Sequence, residues 1–520
     1  MRRKVYFVLL FLIFLFGYLL RVWFLKDLAL TFGYDQARDA IISQEILKGD
    51  FKILGPPAST PGLYHGVFYY YLLAPAYLIG NGNPVIAAYW IAFLNASTVF
   101  IVFFLTYLMT KKFLPALISS FLFAISFEAT QYATWLSNPT IGIWTVPLIY
   151  LGLWAWTQPL SNLPAGKAGA TARQIIWPIV TAIGLGLSIQ SEIFLAYHAI
   201  PIIIWLWVSR REVTQRQFLI FVLSLIAFLS SMIVAEIKFG FKSIEGIRQL
   251  AVGGGTNLAY ANSLGDYLIL YLNQIGRIFA FNSYPGNIGY GGIFVIVLAV
   301  YSLIKKDRVG MFLATWLFSH ITVVTLGGTS TPFLMVGIGP AVSLIIAYYL
   351  FLWWQKGHKV ATIAVLLILI FGNLSMIFRE NLKGATLFAI QKDMLLAKQI
   401  KAIDYTYEKT GGENFSVNSL TSPLWINIVW SYLYKWYGLP KYGYLPTWHG
   451  KDQIGQLDSL QKDPLFVPNY FLILEPMGGI PPRYLEETIN EEDAVSILMD
   501  EVYFGELRVQ KRLKKVPVKI

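Results

Sequence analysis

Cysteine is absent from the 520 residues, which excludes disulfide frameworks, thiolate metal sites and catalytic thiols. Charge is scarce as well. Only 13% of the residues are Asp, Glu, Lys or Arg, against about 25% in an ordinary soluble protein, so a chain folded wholly in water is excluded. No nucleic-acid-binding motif occurs. What is abundant is apolar: 56% hydrophobic and 16% aromatic residues, with a mean hydropathy of +0.56. Length alone suggests about three or four water-soluble domains, but the solvent this composition demands is lipid.

Apolar runs of about 17 to 25 residues cross a bilayer as helices. Eleven are expected: Val5 to Leu25, Pro84 to Met109, Phe113 to Phe127, Pro139 to Trp156, Ile175 to Ile189, Phe194 to Val208, Phe218 to Ala235, Gly289 to Ile304, Gly310 to Thr325, Thr331 to Trp354 and Val360 to Phe378. The first follows Arg2, Arg3 and Lys4 like a signal peptide, but it runs into Arg21, Lys26 and Asp27 without a small-residue cleavage site. It therefore reads as an anchor.

Eleven spans alternate sides, and cytoplasmic loops collect Lys and Arg. With the N-terminus inside, the inner segments hold fifteen cations and two acids, and the outer segments before Arg379 hold nine cations and ten acids. The tail from Arg379 to Ile520 has seventeen of each sign. The net charge of +12 is thus an orientation signal, and the tail is expected on the extracytoplasmic face of the cell membrane. β-Prone runs at Phe415 to Leu420, Leu465 to Leu474 and Val502 to Val509, with turns at Gly411-Gly412 and Gly478-Gly479, read as a small α/β domain. The aromatic stretch Trp425 to Trp448 reads as its core or as a segment near the membrane surface. The expected architecture is an α-helical polytopic membrane protein: residues 1–378 form a transmembrane catalytic domain with a long first outer loop of interfacial helices, and residues 379–520 form an extracytoplasmic α/β domain.

Ionisable groups at a membrane are costly, so their clustering is informative. Glu128, Glu192 and Glu236 stand at the outer mouths of three spans, and Asp35 lies just beyond the first. Transporters place ion-coupling groups near the midplane, whereas these acids sit at the outer surface, which favours an enzyme over a transporter or flippase of lipid-linked glycan. The loop from Lys26 to Asn83 is the most informative stretch. Asp35 and Asp39 lie one helical turn apart with Arg38 beside them, and Gly55-Pro-Pro and Pro61-Gly62 precede Tyr64, His65 and an aromatic run from Phe68 to Ile79. An acid at a helix start also serves as a plain cap.

The pieces Tyr34-Asp35-Gln36, Gly62-Leu-Tyr64-His65-Gly66, Ser137-Asn138-Pro139, Gly186-Leu-Ser-Ile-Gln190 and Ala235-Glu236-Ile-Lys238 occur in order on the expected outer side. The chain resembles the GT-C superfamily of polyprenyl-phosphate-sugar-dependent glycosyltransferases, in particular the dolichyl-phosphate-mannose protein mannosyltransferase-like branch (glycosyltransferase family 39-like). It is also similar to lipid A aminoarabinose transferases. The resemblance covers residues 1–378, and the tail matches in position only. It departs where many relatives have a second acid after Asp35 and this chain has Gln36, where relatives carry His and this chain has Glu192, and where Ser330-Thr331-Pro332-Phe333 replaces a basic or His-Tyr element.

The resemblance implies transfer of a sugar from a polyprenyl-phosphate donor to a protein, glycan or lipid hydroxyl, with Asp35 as base. The leaving phosphate is already a stable anion, so the chemistry needs a base and cations rather than a strong acid. Tyr34 and Arg38 flank Asp35. Glu128 is the second acid, to position the acceptor, to share a magnesium or manganese ion with Asp35, or merely to cap its span. Tyr64, His65, Asn138, Gln190, Glu192, Glu236, Lys238, Lys242 and Arg248 are candidates for donor and acceptor contacts, the cations for the lipid phosphate. The Gly253-Gly254-Gly255 triplet suits a hinge over the donor or a passive linker.

Overall fold

A computed structural model describes residues 2–58, 62–158, 172–251, 263–321, 332–388, 391–453, 456–462 and 467–515. The glycine triplet, Ser330, Thr331 and the far end of the ninth expected span lie outside them. The chain opens with α1 (Arg2–Val22), and the first long loop carries α2 (Tyr34–Leu47) and α3 (Phe68–Ile79). Then follow α4 (Pro84–Thr110), α5 (Phe113–Ala124), α6 (Phe127–Thr134), α7 (Gly142–Trp156), α8 (Trp177–Ser191), α9 (Ala199–Val208) and α10 (Gln215–Phe239). The second half of the membrane unit is α11 (Lys242–Ala251), α12 (Leu264–Phe281), α13 (Ile288–Lys305), α14 (Arg308–Leu317), α15 (Gly339–Gln355) and α16 (Lys359–Glu380).

Six helical segments among the described residues are long and apolar enough to cross a membrane, and the bent pair α5–α6 makes a seventh. The expected eleven are not reproduced. At 1.5 Å per residue, the 15 residues of α7 rise only about 22 Å, short of the roughly 30 Å hydrocarbon core. The sixth expected span starts as a 3₁₀ turn, Ile193–His198, before α9, and the tenth starts as one at Pro332–Met335 before α15. Conversely, α12 occupies a stretch expected to be loop. It runs antiparallel to α13, with a Cβ on Gly292 only 2.7 Å from the Gly276 carbonyl oxygen, and its Asp266 and Arg277 keep its hydropathy low.

In lipid there is no hydrophobic gain from bringing helices together, so close packing through small residues supplies the contact. Between α7 and α8 a Cβ on Gly152 would lie 2.6 Å from the Thr181 nitrogen, and one on Gly184 would lie 2.5 Å from the Ile149 nitrogen. The apolar run that predicted a continuous third span instead bends by 53° between α5 and α6. A break strands carbonyls that lipid cannot solvate. Arg21, expected to face water, is fully buried and answers them: its guanidinium donates to the Ala124 carbonyl at 2.8 Å and to Asn95 Oδ1 at 2.7 Å. Asn95 Nδ2 donates to the Ala129 carbonyl, Ser126 caps α6, and Phe127 N–H donates to Asn373. Replacing Arg21 by Met leaves these acceptors bare and is expected to cost about 2 kcal/mol. A thermal-unfolding midpoint in detergent that does not fall would contradict the assignment.

The C-terminal unit is α/β, as the spacing predicts. Its strands are β1 (Ser416–Leu420), β2 (Thr447–Trp448), β3 (Asn469–Leu474), β4 (Ser496–Phe504) and β5 (Leu507–Lys514), in the order β2-β1-β3-β5-β4. The first three run parallel and the last two antiparallel. The single strand expected over Val502 to Val509 is a hairpin turning at Gly505, whose φ of +72° suits glycine. Helices α17 (Leu396–Glu408), α18 (Ile428–Leu433), α19 (Leu439–Tyr442) and α20 (Pro482–Val495) complete it. The aromatic stretch is core: Trp430, Tyr434 and Trp448 pack in one cluster with Phe32, Tyr69 and Tyr77 of the first loop. The loop and the C-terminal unit therefore share a hydrophobic core. Backbone pairing seals the junction, with Phe32 N–H donating to the Met394 carbonyl at 3.0 Å and Leu396 N–H to that of Leu30 at 2.9 Å.

Candidate active site

Helix α2 begins where Gly33 N–H donates to Gln36 Oε1 at 2.9 Å, so the residue that breaks the double-acid pattern is part of the helix cap. Gln36 Nε2 also donates to the Leu136 carbonyl at 3.1 Å, tying α2 to the segment after α6. One turn of α2 then presents Tyr34, Asp35 and Arg38. Arg38 is buried and bridges two acids: Nη1 meets Asp35 Oδ1 at 2.7 Å, and Nε meets Asp39 Oδ1 at 2.8 Å. The Asp35 side chain is half exposed, at 48%, whereas that of Asp39 is at 1%. Asp39 Oδ2 has no partner among the described residues.

Burial pushes the Asp39 carboxyl from 3.8 up to about 7, against the pull of Arg38. The folded state therefore holds that proton more tightly than the unfolded chain. Its contribution to stability is full below pH 4 and is lost as pH rises through 7. The fall of the unfolding midpoint between about pH 5 and 8 is expected to be shallower in Asp39→Asn. An unchanged slope would contradict this.

Asp35 and Arg38 line a cleft of about 620 Å³. Its second wall is the loop that carries His65. A Cβ on Gly66 would lie 2.6 Å from Gln190 Oε1, so glycine lets this loop lie directly on the end of α8. His65 Nδ1 accepts from Ile193 N–H at 3.2 Å, which places the ring proton on Nε2. Burial and nearby Arg38 hold the imidazole down to about 3. The 3.7 Å approach of His65 to Glu192 is therefore not an ion pair, and burial pushes the Glu192 carboxyl up to about 8. Asn138 donates to the Ser191 carbonyl at 2.5 Å and also lines the cleft. The third wall is greasy. Trp135 stacks on Phe388 at 4.7 Å, Phe388 on Tyr132 at 4.2 Å, and Phe333 lies 6.2 Å from Trp135. The C-terminal unit closes the fourth side with Gln391, Met394, Ser422 and Pro423.

Buried Glu475 holds that fourth side in place, accepting from Gln391 Nε2 at 3.1 Å, Ser422 N–H at 2.9 Å and Trp430 Nε1 at 3.1 Å. Sequence reasoning did not find these residues. No spacing announces that the C-terminal unit folds back over the first loop.

No protein-family model and no curated protein sequence matches the chain. Solved structures do. ArnT from Cupriavidus metallidurans in the apo state aligns over 98% of this chain and 98% of its own, with a TM-score of 0.59 at 11% identity. The same protein bound to undecaprenyl phosphate aligns over the same shares with a TM-score of 0.56 at 12% identity. The chain shares its fold with ArnT. The alignment to ArnT runs through the C-terminal unit, which the sequence motifs did not cover.

Within this fold the residues singled out by sequence separate. Tyr34, Asp35, Arg38, His65, Asn138 and Glu192 line the cleft. Gln190 does not: its amide accepts from Phe68 N–H at 3.3 Å and donates to the Phe228 carbonyl, bracing the loop. Tyr64 pairs with Pro57 in the turn that carries His65. Glu236 caps the start of α11 by accepting from Ser243 N–H at 3.2 Å. Arg248 is exposed and paired with Glu245 at 2.9 Å. Lys238 and Lys242 are exposed at the junction of α10 and α11, where the Lys242 carbonyl oxygen lies 3.2 Å from a Cβ on Gly62.

Glu128, expected at a span mouth, is fully buried at the start of α6, away from the cleft lining. Its Oε2 accepts from Asn282 and packs against Gly339. Asp35 is paired with Arg38, and Glu128 Oε2 is engaged by Asn282 while its Oε1 has no partner among the described residues. Among the described residues no three His, Asp or Glu side chains converge as a metal site.

Proposed function

We propose that this chain is an integral membrane glycosyltransferase that moves a sugar from a polyprenyl-phosphate donor to a hydroxyl acceptor, on the face carrying the C-terminal unit, and that this face is extracytoplasmic. The observation that carries the reading is a half-exposed Asp35 fixed by a buried arginine in a cleft with one polar and one aromatic wall. A lipid-linked sugar has that duality, and a cleft confined to one end of the helices does not serve passage across the membrane. The fold shared with ArnT, which was solved with undecaprenyl phosphate bound, supports the same class of donor.

In this reading Asp35 accepts the proton of the acceptor hydroxyl as its oxygen attacks the anomeric carbon. The bond from that carbon to the phosphate oxygen breaks, and polyprenyl phosphate leaves as an anion. Direct displacement inverts the anomeric centre. Arg38 and Tyr34 aim Asp35, the neutral His65 donates from Nε2 to the sugar or its phosphate, and Asn138 and Glu192 meet sugar hydroxyls. Lys238 and Lys242 supply positive charge at the edge of the His65 loop. Glu128, Gln190, Glu236 and Arg248 act on the scaffold.

Mass spectrometry of lipids retained by the purified protein tests the donor. A polyprenyl phosphate, free or carrying one sugar, is expected. Protein that retains no polyprenyl carrier and transfers nothing from any polyprenyl-phosphate sugar in liposomes would overturn the reading.

A further inference from the structure

A second cleft, of about 440 Å³, opens on the other flank of α2. That volume lies within the range of small-molecule sites. Ile41, Gln44 and Glu45 of α2 and Lys48 just past its end line it at helical spacing, together with Tyr432, Lys435, Trp436 and Asp458 of the C-terminal unit and Asn81. The polar frame is fixed from behind. Tyr432 donates to the Gly82 carbonyl and accepts from Gln44 at 3.3 Å. Asp458 is held by Lys435 at 2.6 Å and Ser431 at 2.9 Å, and Glu45 by Lys52 at 2.9 Å.

Three groups remain open. The half-buried Trp436 indole N–H, the exposed Asn81 amide and the exposed Lys48 ammonium meet no protein partner among the described residues. Two acids and two lysines line the cleft; Asp458 is paired with Lys435 and Glu45 with Lys52 from outside the lining, so the lining offers one exposed ammonium, Lys48, beside the two neutral donors. A flat indole face beside fixed carboxylate, amide and ammonium groups suits a ligand with an apolar face and a rim of hydroxyls. We propose that this cleft binds a neutral glycan, the body of the acceptor whose terminal hydroxyl reaches Asp35.

This proposal rests on the transferase reading and adds the acceptor class to it. Both clefts are lined by α2, and Asp35 and Gln44 are about 14 Å apart along its axis, so an acceptor reaching both passes around that helix. Trp436 and Asn81 touch no group placed in the transfer step.

Binding of mannotriose, maltotriose and N,N′,N″-triacetylchitotriose to the full-length protein in detergent, followed by saturation-transfer NMR and tryptophan fluorescence, tests it without requiring transfer. At least one trisaccharide is expected to bind wild type and Asp35→Asn alike, and to bind Trp436→Ala and Asn81→Asp about tenfold or more weakly. Asn81→Asp keeps a residue that tolerates the positive φ of 46° there, so it separates lost contact from lost fold. No binding of any of the three, or binding untouched by both substitutions, overturns the proposal. Binding that depends on Trp436 in a protein that transfers no sugar would leave the glycan site standing and remove the transferase reading instead.

Discussion

Replacing Asp35 by Asn is expected to lower sugar transfer by about 100- to 10,000-fold, the usual contribution of a positioned general base. The amide has the shape of the carboxylate and its oxygen still accepts from Arg38, whose Nη1 lies 2.7 Å from Asp35 Oδ1. What it loses is the capacity to take a proton. The unfolding midpoint should hold, because the Asp35 side chain is half exposed and exposed ion pairs contribute only about 0 to 1 kcal/mol. A folded Asp35→Asn protein with more than about a tenth of wild-type transfer would remove Asp35 as the base.

Arg38→Met should be the more damaging change, because it acts on the fold as well as the cleft. Asp39 is buried and Arg38 is the cation that faces it. Removing one member of a buried pair costs up to about 3–5 kcal/mol where the remaining group is charged, so the loss should be largest above pH 7 and smaller below it, where the Asp39 carboxyl holds its proton. Transfer should vanish too, because nothing then aims Asp35. The double variant Arg38→Met/Asp39→Asn separates the two effects: it should regain most of the lost stability while transfer stays absent. Similar stability in the single and double variants would show that Asp39 is not the group Arg38 neutralises. Recovery of transfer would show that Arg38 serves the fold alone.

The sequence made the polar anchor of the cleft legible because it is local. Tyr34, Asp35 and Arg38 share one turn of one helix, and the acid follows the first apolar run directly. The α/β nature of the C-terminal unit was legible for the same reason, since its strands are short apolar runs bounded by glycine. The break between α5 and α6 was hidden. Hydropathy continues through Ile125 and Phe127, and the groups that permit the bend, Arg21, Asn95 and Asn373, arrive from helices far apart in sequence.

Glu128 shows the reverse. Sequence places it at a span mouth, and the bend turns it inward onto Asn282 at the end of α12, a helix whose charges disguised it as loop. The cations expected to meet the lipid phosphate were placed by sidedness alone, and sidedness does not say which flank of a helix bundle a side chain occupies. Lys238, Lys242 and Arg248 share the His65 loop's side of the molecule but do not line the cleft. The fourth wall, from Gln391 to Pro423, is a tertiary product of a core shared between the first loop and the C-terminal unit.

The central claim is that the Asp35 cleft is where a lipid phosphate and its sugar lie. A structure determined with bound polyprenyl monophosphate tests this most directly. The account predicts the phosphate within hydrogen-bonding reach of His65 Nε2, with the first isoprene units against Trp135 and Phe388. A phosphate bound outside the cleft, with Asp35 and His65 facing only solvent, would contradict it.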